Sequence, residues 1–107
     1  MLHYFELTLF LSLLIFLIFC RELLLRSRAL DNQVYVAAVS PSRDESAGYH
    51  AWGHSTVVSP WGDVVATTSH QPDTVYATID LTKVEEIRTN IPVSKQKRTD
   101  LYALNKL

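Results

Sequence analysis

The run of hydrophobic positions changes character twice along this chain. Residues 1–20 are almost unbroken apolar side chains, residues 21–31 repeat at helical spacing, and the rest alternates short apolar runs with polar punctuation. Within Arg21–Asp31, Leu23, Ser27 and Leu30 fall on one face with Leu24 beside them, which predicts a helix, while Arg26 and Arg28 project elsewhere. Asn32 is the expected terminator, because asparagine tolerates left-handed backbone. Gln33–Ser40 then carries a continuous apolar run from Val34 to Val39. A strand covered on both faces, in the interior of a layered α/β protein, reads this way. Ser40-Pro41 ends it, since proline has no N–H for the ladder.

Ser42–His54 is polar and contains Gly48 and Gly53, as expected of a surface loop. Ser55–Ser59 and Asp63–Thr68 are predicted strands joined by Pro60-Trp61-Gly62, a hairpin in which the glycine supplies a positive φ. Ser69–Thr74 holds Pro72 and reads as a turn, and Val75–Ile79 as a further strand. Asp80 and Thr82 compete to cap a last helix. Thr82 and Glu85 have capping-box spacing, with Val84, Ile87 and Ile91 as the buried stripe and Pro92 as the stop. Helix, strand, hairpin, strand, helix is an α/β order.

The leader needs separate treatment. Leu7 to Cys20 contains no charged residue. As a helix it would reach about 21 Å, short of the roughly 30 Å hydrocarbon core of a bilayer. A secretory signal fits its length, but there is no basic residue before it and no small-x-small cleavage site after it. If residues 7–20 insert in a membrane, Arg21, Arg26 and Arg28 favour a cytoplasmic side for the chain beyond them. An alternative first exon or a mistaken gene model explains the leader equally well. The organisation expected is therefore an apolar helical leader at 1–20 and one folded unit at 21–107.

Charge and cysteine usage narrow the classes. The net charge is −1, Glu6 is the only charge in the leader, and residues 21–107 balance. No extended basic stripe exists, so nucleic acid is not an expected partner. Lys95, Lys97 and Arg98 form a short cluster offset by Asp100. With Cys20 the single cysteine, neither an intrachain disulfide nor a cysteine metal site can form.

Two stretches identify a family. Arg28-Ala-Leu-Asp-Asn-Gln-Val-Tyr-Val-Ala-Ala-Val-Ser-Pro41 and Ala51-Trp-Gly-His-Ser-Thr-Val-Val-Ser-Pro-Trp-Gly62 resemble the segment just downstream of the catalytic cysteine in omega-amidases of the nitrilase (carbon–nitrogen hydrolase) superfamily. The likeness runs from Glu22 to about Leu104 and includes Ile91-Pro-Val-Ser-Lys-Gln-Lys-Arg-Thr-Asp-Leu-Tyr102. It breaks sharply before Glu22, where the family has an aromatic residue and this chain has Cys20-Arg21. The resemblance implies part of a four-layer αββα sandwich, usually dimerised through helices and the C-terminal tail, in a cytoplasmic enzyme. It also implies cofactor-free hydrolysis of the terminal amide of small 2-oxo acid amides such as 2-oxoglutaramate and 2-oxosuccinamate, with release of ammonia.

Family members use a cysteine nucleophile, a glutamate base and a lysine that steadies the tetrahedral intermediate. All three precede the matched region, so none maps onto a residue of this sequence. Cys20 is a poor substitute. Ile18 and Phe19 beside it are apolar, whereas reactive thiolates sit in electropositive surroundings, and it lies only eight residues before Arg28. His50 and His54 have the spacing of two zinc ligands on a helix, but there is no glutamate between them and Gly53 disfavours the helix, so no metal is expected. His54, Ser55 and Asp63 lack the glycine elbow of a serine hydrolase. Trp52, Trp61, Tyr35 and Tyr49 read as packing residues, and Glu85 and Glu86 as a cap and a solvated position. Arg28, Asp31 and Asn32 read as a structural motif holding the helix end against the next strand. Ser40 and Pro41, at a strand end, are the candidates for the pocket wall, because ligand sites of α/β proteins gather there. The competing reading is a truncated, non-catalytic fragment acting by interaction or tethered to a membrane.

Overall fold

The computed structural model describes residues 20–103, and the leader expected at 1–20 lies outside them except for Cys20. Among the described residues, helix α1 (residues 20–32) is followed by strands β1 (Val36–Ala38), β2 (Thr56–Val58) and β3 (Val64–Thr67), then helix α2 (Leu81–Asn90). The strands form one antiparallel sheet in the order β1-β2-β3. Val36 pairs with Val58 and Ala38 with Thr56, while Thr56 pairs with Thr67. No helix among these residues is long and apolar enough to cross a membrane.

The β2–β3 connection is dictated by its residues. Gly62 N–H donates to the Ser59 carbonyl at 2.9 Å, closing a turn with Pro60 at its first corner, and Gly62 takes φ +80°. Proline presets that corner and glycine alone enters the left-handed region without cost. The Ser59 hydroxyl accepts from the Trp61 and Asp63 N–H groups, both at 3.3 Å. The extra residue shifts the register between Val57 and Val58, as a left-handed residue after a turn does at a bulge.

This turn is also where α1 docks. Arg26 Nε donates to the Gly62 carbonyl at 2.7 Å, so Arg26 does not project freely. The buried face of α1 is rotated from the one its leucines predict. Ala29 is fully enclosed, while Leu23, Leu24 and Leu30 remain about half exposed. The hairpin approaches α1 at Gly62, where an added methyl would lie 3.6 Å from the Arg26 carbonyl oxygen and 3.9 Å from the Leu30 Cβ, and among the described residues Leu23, Leu24 and Leu30 are only half covered. The left-handed residue that ends α1 is Gln33 (φ +54°), one position beyond the expected Asn32. Its buried side chain donates to the Ile91 carbonyl at 2.6 Å, tying α1 to the end of α2.

Two strand expectations need correction. The strand in Gln33–Ser40 is confined to β1 and is not covered on both faces, since Val39 is 91% exposed. Val75–Ile79 forms no strand, pairing with none among the described residues, although Val75 and Ala77 are half-buried between exposed Tyr76 and Thr78. A strand needs a neighbouring edge to bond to, and among the described residues the sheet of β1, β2 and β3 gives this segment none.

Asp80 caps α2, and the Thr82–Glu85 box does not form. The Asp80 carboxylate accepts from the Thr82 N–H at 3.0 Å and the Thr82 hydroxyl at 2.6 Å, so Thr82 serves the cap instead of being one. These bonds, the hydroxyl first, hold the Asp80 carboxyl below its ordinary range. Tyr35 braces the corner, its hydroxyl accepting from Asp80 N–H and donating to the Asp80 carbonyl, both at 3.3 Å. Ile87 is the buried residue of the stripe, Val84 is half-buried, and Ile91 is 43% exposed at the C-cap before Pro92.

Candidate functional site

Two clefts meet at the end of β1. One, of about 490 Å³, lies between the start of α1 and the sheet, with Leu24, Val39 and Val64 on its apolar wall and Trp52, Ser40 and Arg21 at its polar rim. The other, of about 610 Å³, runs along Ser40, Ser55 and the 68–74 segment. Ser40 borders both, whereas Pro41 is exposed and lines neither.

Ser40 is fixed from three sides. Its hydroxyl accepts from Gly53 N–H at 3.0 Å and donates to the Pro41 carbonyl at 3.3 Å. Its N–H donates to the Ser55 hydroxyl at 3.0 Å, and that hydroxyl donates back to the Ser40 carbonyl at 3.1 Å. Ser55 is thereby committed to the loop, which removes it as a nucleophile. Ser40 offers a rigid polar point on the wall, with its hydroxyl proton already committed to the Pro41 carbonyl.

Trp52 forms the rim. The Arg21 and Arg43 guanidinium groups lie 5.7 and 5.5 Å from its ring centre, and the His54 ring is 5.1 Å away. Arg43 also donates to the Ala51 carbonyl at 3.2 Å and to the Trp52 carbonyl at 3.4 Å, so one guanidinium holds both the ring and the backbone of the tryptophan. His54 Nδ1 lies 3.1 Å from the Trp52 carbonyl and must be the donor, because a carbonyl only accepts. None of these roles for Arg21, Arg43 or Gln33 was visible from sequence, because each partner is remote along the chain or unmarked by any motif.

The metal reading of His50 and His54 gains nothing from the geometry. His50 Nδ1 lies 3.8 Å from Glu45 on the surface, and among the described residues no three metal-capable side chains converge. Cys20 is a half-buried free thiol that borders neither cleft. Arg28, Asp31 and Asn32 are exposed along the last turns of α1, where Asn32 Nδ2 donates to the Arg28 carbonyl at 2.9 Å. They lie apart from the clefts. Elsewhere on the surface, the Ser46 hydroxyl lowers the Asp44 carboxyl, and the Arg98 guanidinium does the same for Asp100.

Gly53 is the position on which the rim depends. It takes φ +71°, and a methyl group there would lie 2.6 Å from the His70 Cα and 3.1 Å from the Ser69 carbonyl oxygen. Gly53→Ala therefore combines backbone strain with backbone overlap, a loss on the order of 3 kcal/mol. Protease cleavage within residues 50–70 should rise, by about a hundredfold where the parent segment is held folded and by less where it is already partly open. Gly48→Ala, in open space, is the control and should leave cleavage unchanged.

Comparison with known proteins places this geometry. The family model for carbon–nitrogen hydrolases matches residues 19–89. The chain is 63% identical over 83 residues to omega-amidase NIT2 of Homo sapiens, covering 78% of this chain and 30% of that protein. It is 55% identical over 84 residues to omega-amidase NIT2 of Danio rerio, with the same two shares. Among solved structures, Saccharomyces cerevisiae Nit3, a nitrilase-superfamily member, is similar with a TM-score of 0.68 at 47% identity over 72% of this chain and 28% of that one. The C. elegans NitFhit protein matches with a TM-score of 0.69 at 42% identity over 79% of this chain and 21% of that one. The chain thus spans less than a third of the length of the curated relatives it matches.

Proposed function

The chain belongs to the carbon–nitrogen hydrolase family, and from that premise we propose that residues 21–107 are the C-terminal part of an omega-amidase-like domain behind an apolar leader at 1–20. The reaction is hydrolysis of the terminal amide of a small 2-oxo acid amide such as 2-oxoglutaramate or 2-oxosuccinamate, in the cytoplasm and without a cofactor. The observation that carries this reading is the extent of identity with the human omega-amidase.

In such a domain the thiolate, carboxylate and lysine come from chain that precedes the matched stretch. A thiolate attacks the amide carbon, a carboxylate moves protons, and a fixed cation or N–H group holds the oxyanion. This chain's contribution is the wall and its supports. Ser40, held from three sides, fixes one end of the pocket, and Pro41 turns the backbone away beyond it. Arg28, Asp31 and Asn32 keep the end of α1 in place, and the layers implied are part of an αββα sandwich, in a subunit that forms homodimers.

The reading is tested by a chimera. Residues 22–104 replace the matching stretch of the human omega-amidase, and ammonia release from 2-oxoglutaramate is measured. Activity within about tenfold of the parent is expected, since changes outside the reacting groups act through positioning. A folded chimera that binds but does not hydrolyse this amide would overturn the substrate assignment. A second reading, a non-catalytic interaction fragment, is favoured by the exposed apolar side chains around β1.

A further inference from the structure

Two hydroxyl residues in the sequence are followed three positions later by a carboxylate, Ser42 by Glu45 and Thr82 by Glu85. After Ser42, Asp44 supplies a second one. Carboxylates placed just after a hydroxyl are the charge pattern that an acidophilic serine/threonine kinase reads with its own basic groups. The structure separates the two candidates. Thr82 lies in the first turn of α2, where its hydroxyl donates to the Asp80 carboxylate at 2.6 Å and its N–H to the same oxygen at 3.0 Å. An oxygen held in a helix cap is not free to line up with a phosphoryl group. Ser42 is exposed in irregular backbone at the border of the polar cleft, and its hydroxyl bonds to no group among the described residues.

We propose that Ser42 is a phosphoacceptor for an acidophilic serine/threonine kinase, with Asp44 and Glu45 as the carboxylates recognised. The Ser42 oxygen bonds to the γ-phosphorus of ATP, the bond to the ADP oxygen breaks, and the hydroxyl proton passes to the kinase's own base. The loop suits this in three ways. The Glu45 side chain is 74% exposed, with Arg43 and His50 no closer than 3.9 and 3.8 Å, so it is open to a cation of the kinase. Asp44 takes both of its bonds from Ser46 on one carboxylate oxygen. The single basic side chain between acceptor and carboxylates, Arg43, is turned onto the Trp52 ring and the Ala51 and Trp52 carbonyls, out of the recognised pattern. The neighbouring hydroxyls are already in use, Ser40 on the Pro41 carbonyl and Ser46 on Asp44. Phosphorylation sets about two negative charges at the border of the cleft that Asp73 also lines. The site does not depend on the omega-amidase reading.

The test treats the full 107-residue chain, and separately the chimera described above, with ATP, magnesium and a kinase that requires a carboxylate three residues after its acceptor. Mass spectrometry locates the phosphate. Within residues 22–104 of both proteins, modification at Ser42 alone is expected, and Ser42→Ala should abolish it. Glu45→Gln should slow incorporation about tenfold or more, because a charge-assisted contact is lost. Neither substitution disturbs the fold, as both side chains are exposed. A kinase that requires arginine before its acceptor should leave Ser42 unmodified. Three results would overturn the proposal: no phosphate at Ser42 in either protein, modification of Thr82 to an equal extent in the chimera, or an unchanged rate in Glu45→Gln. Modification of Ser42 by the arginine-directed kinase at a comparable rate would reject the acidic recognition and the proposal with it.

Discussion

The purified 107-residue chain is expected to release no ammonia from 2-oxoglutaramate above background. A nucleophile, a base and an oxyanion stabiliser act as one unit, and removal of a single member can cost on the order of 10⁶-fold in kcat. Cys20 is the only thiol, and it borders neither cleft. The serine nearest the cleft junction with a histidine beside it, Ser55, spends its hydroxyl on the Ser40 carbonyl. Among the described residues the 490 Å³ cleft is lined by Arg21 and Glu22 but by no lysine, and Glu22 lies 3.5 Å from Arg26 in a helical ion pair. The measurement compares the chain with its Cys20→Ala variant. Turnover that disappears on substitution would establish Cys20 as a working nucleophile and reject this expectation, and turnover that survives would trace to a host hydrolase.

The second large effect concerns folding. Residues 21–107 expressed alone should be poorly soluble or partly unfolded. Among the described residues the buried apolar side chains are few and mostly small, Ala29, Ala51, Val58, Pro60 and Ile87. Val39, Tyr76, Leu81 and Leu101 are mostly exposed, and the outer edge of β1 has no partner among the described residues. A unit this small buries a modest fraction of its surface even when complete, and conformational entropy takes most of what that burial contributes. Exposed strand edges with apolar neighbours then direct association between copies. Size-exclusion chromatography and a thermal melt decide the matter. A monodisperse monomer with a sharp cooperative transition is the outcome that rejects this expectation.

Features with a local cause were legible in the sequence. Gly62 at positive φ, the Pro60 corner and the stop before Pro92 each depend on residues within about four positions, so backbone sterics and short-range hydrogen bonds suffice to predict them, whereas the choice of Asp80 over Thr82 as the cap of α2 was left open by the sequence. Family membership was legible for the same reason, being written in contiguous motifs from Arg28 to Gly62. The tertiary structure alone decided the rest. Which face of α1 is buried depended on where the hairpin turn meets the helix, with Arg26 bonded to the Gly62 carbonyl. Gln33 gained its role from Ile91, fifty-eight positions away, and Tyr35 from Asp80, forty-five away. The Ser40 cluster and the cleft beside it exist only once β1, the 51–55 loop and α1 meet. Hydrophobic burial is non-directional, so a pattern of apolar residues states that a face will be covered without stating by what. Long-range polar contacts carry no periodic signal at all, and they are the contacts that shape this site.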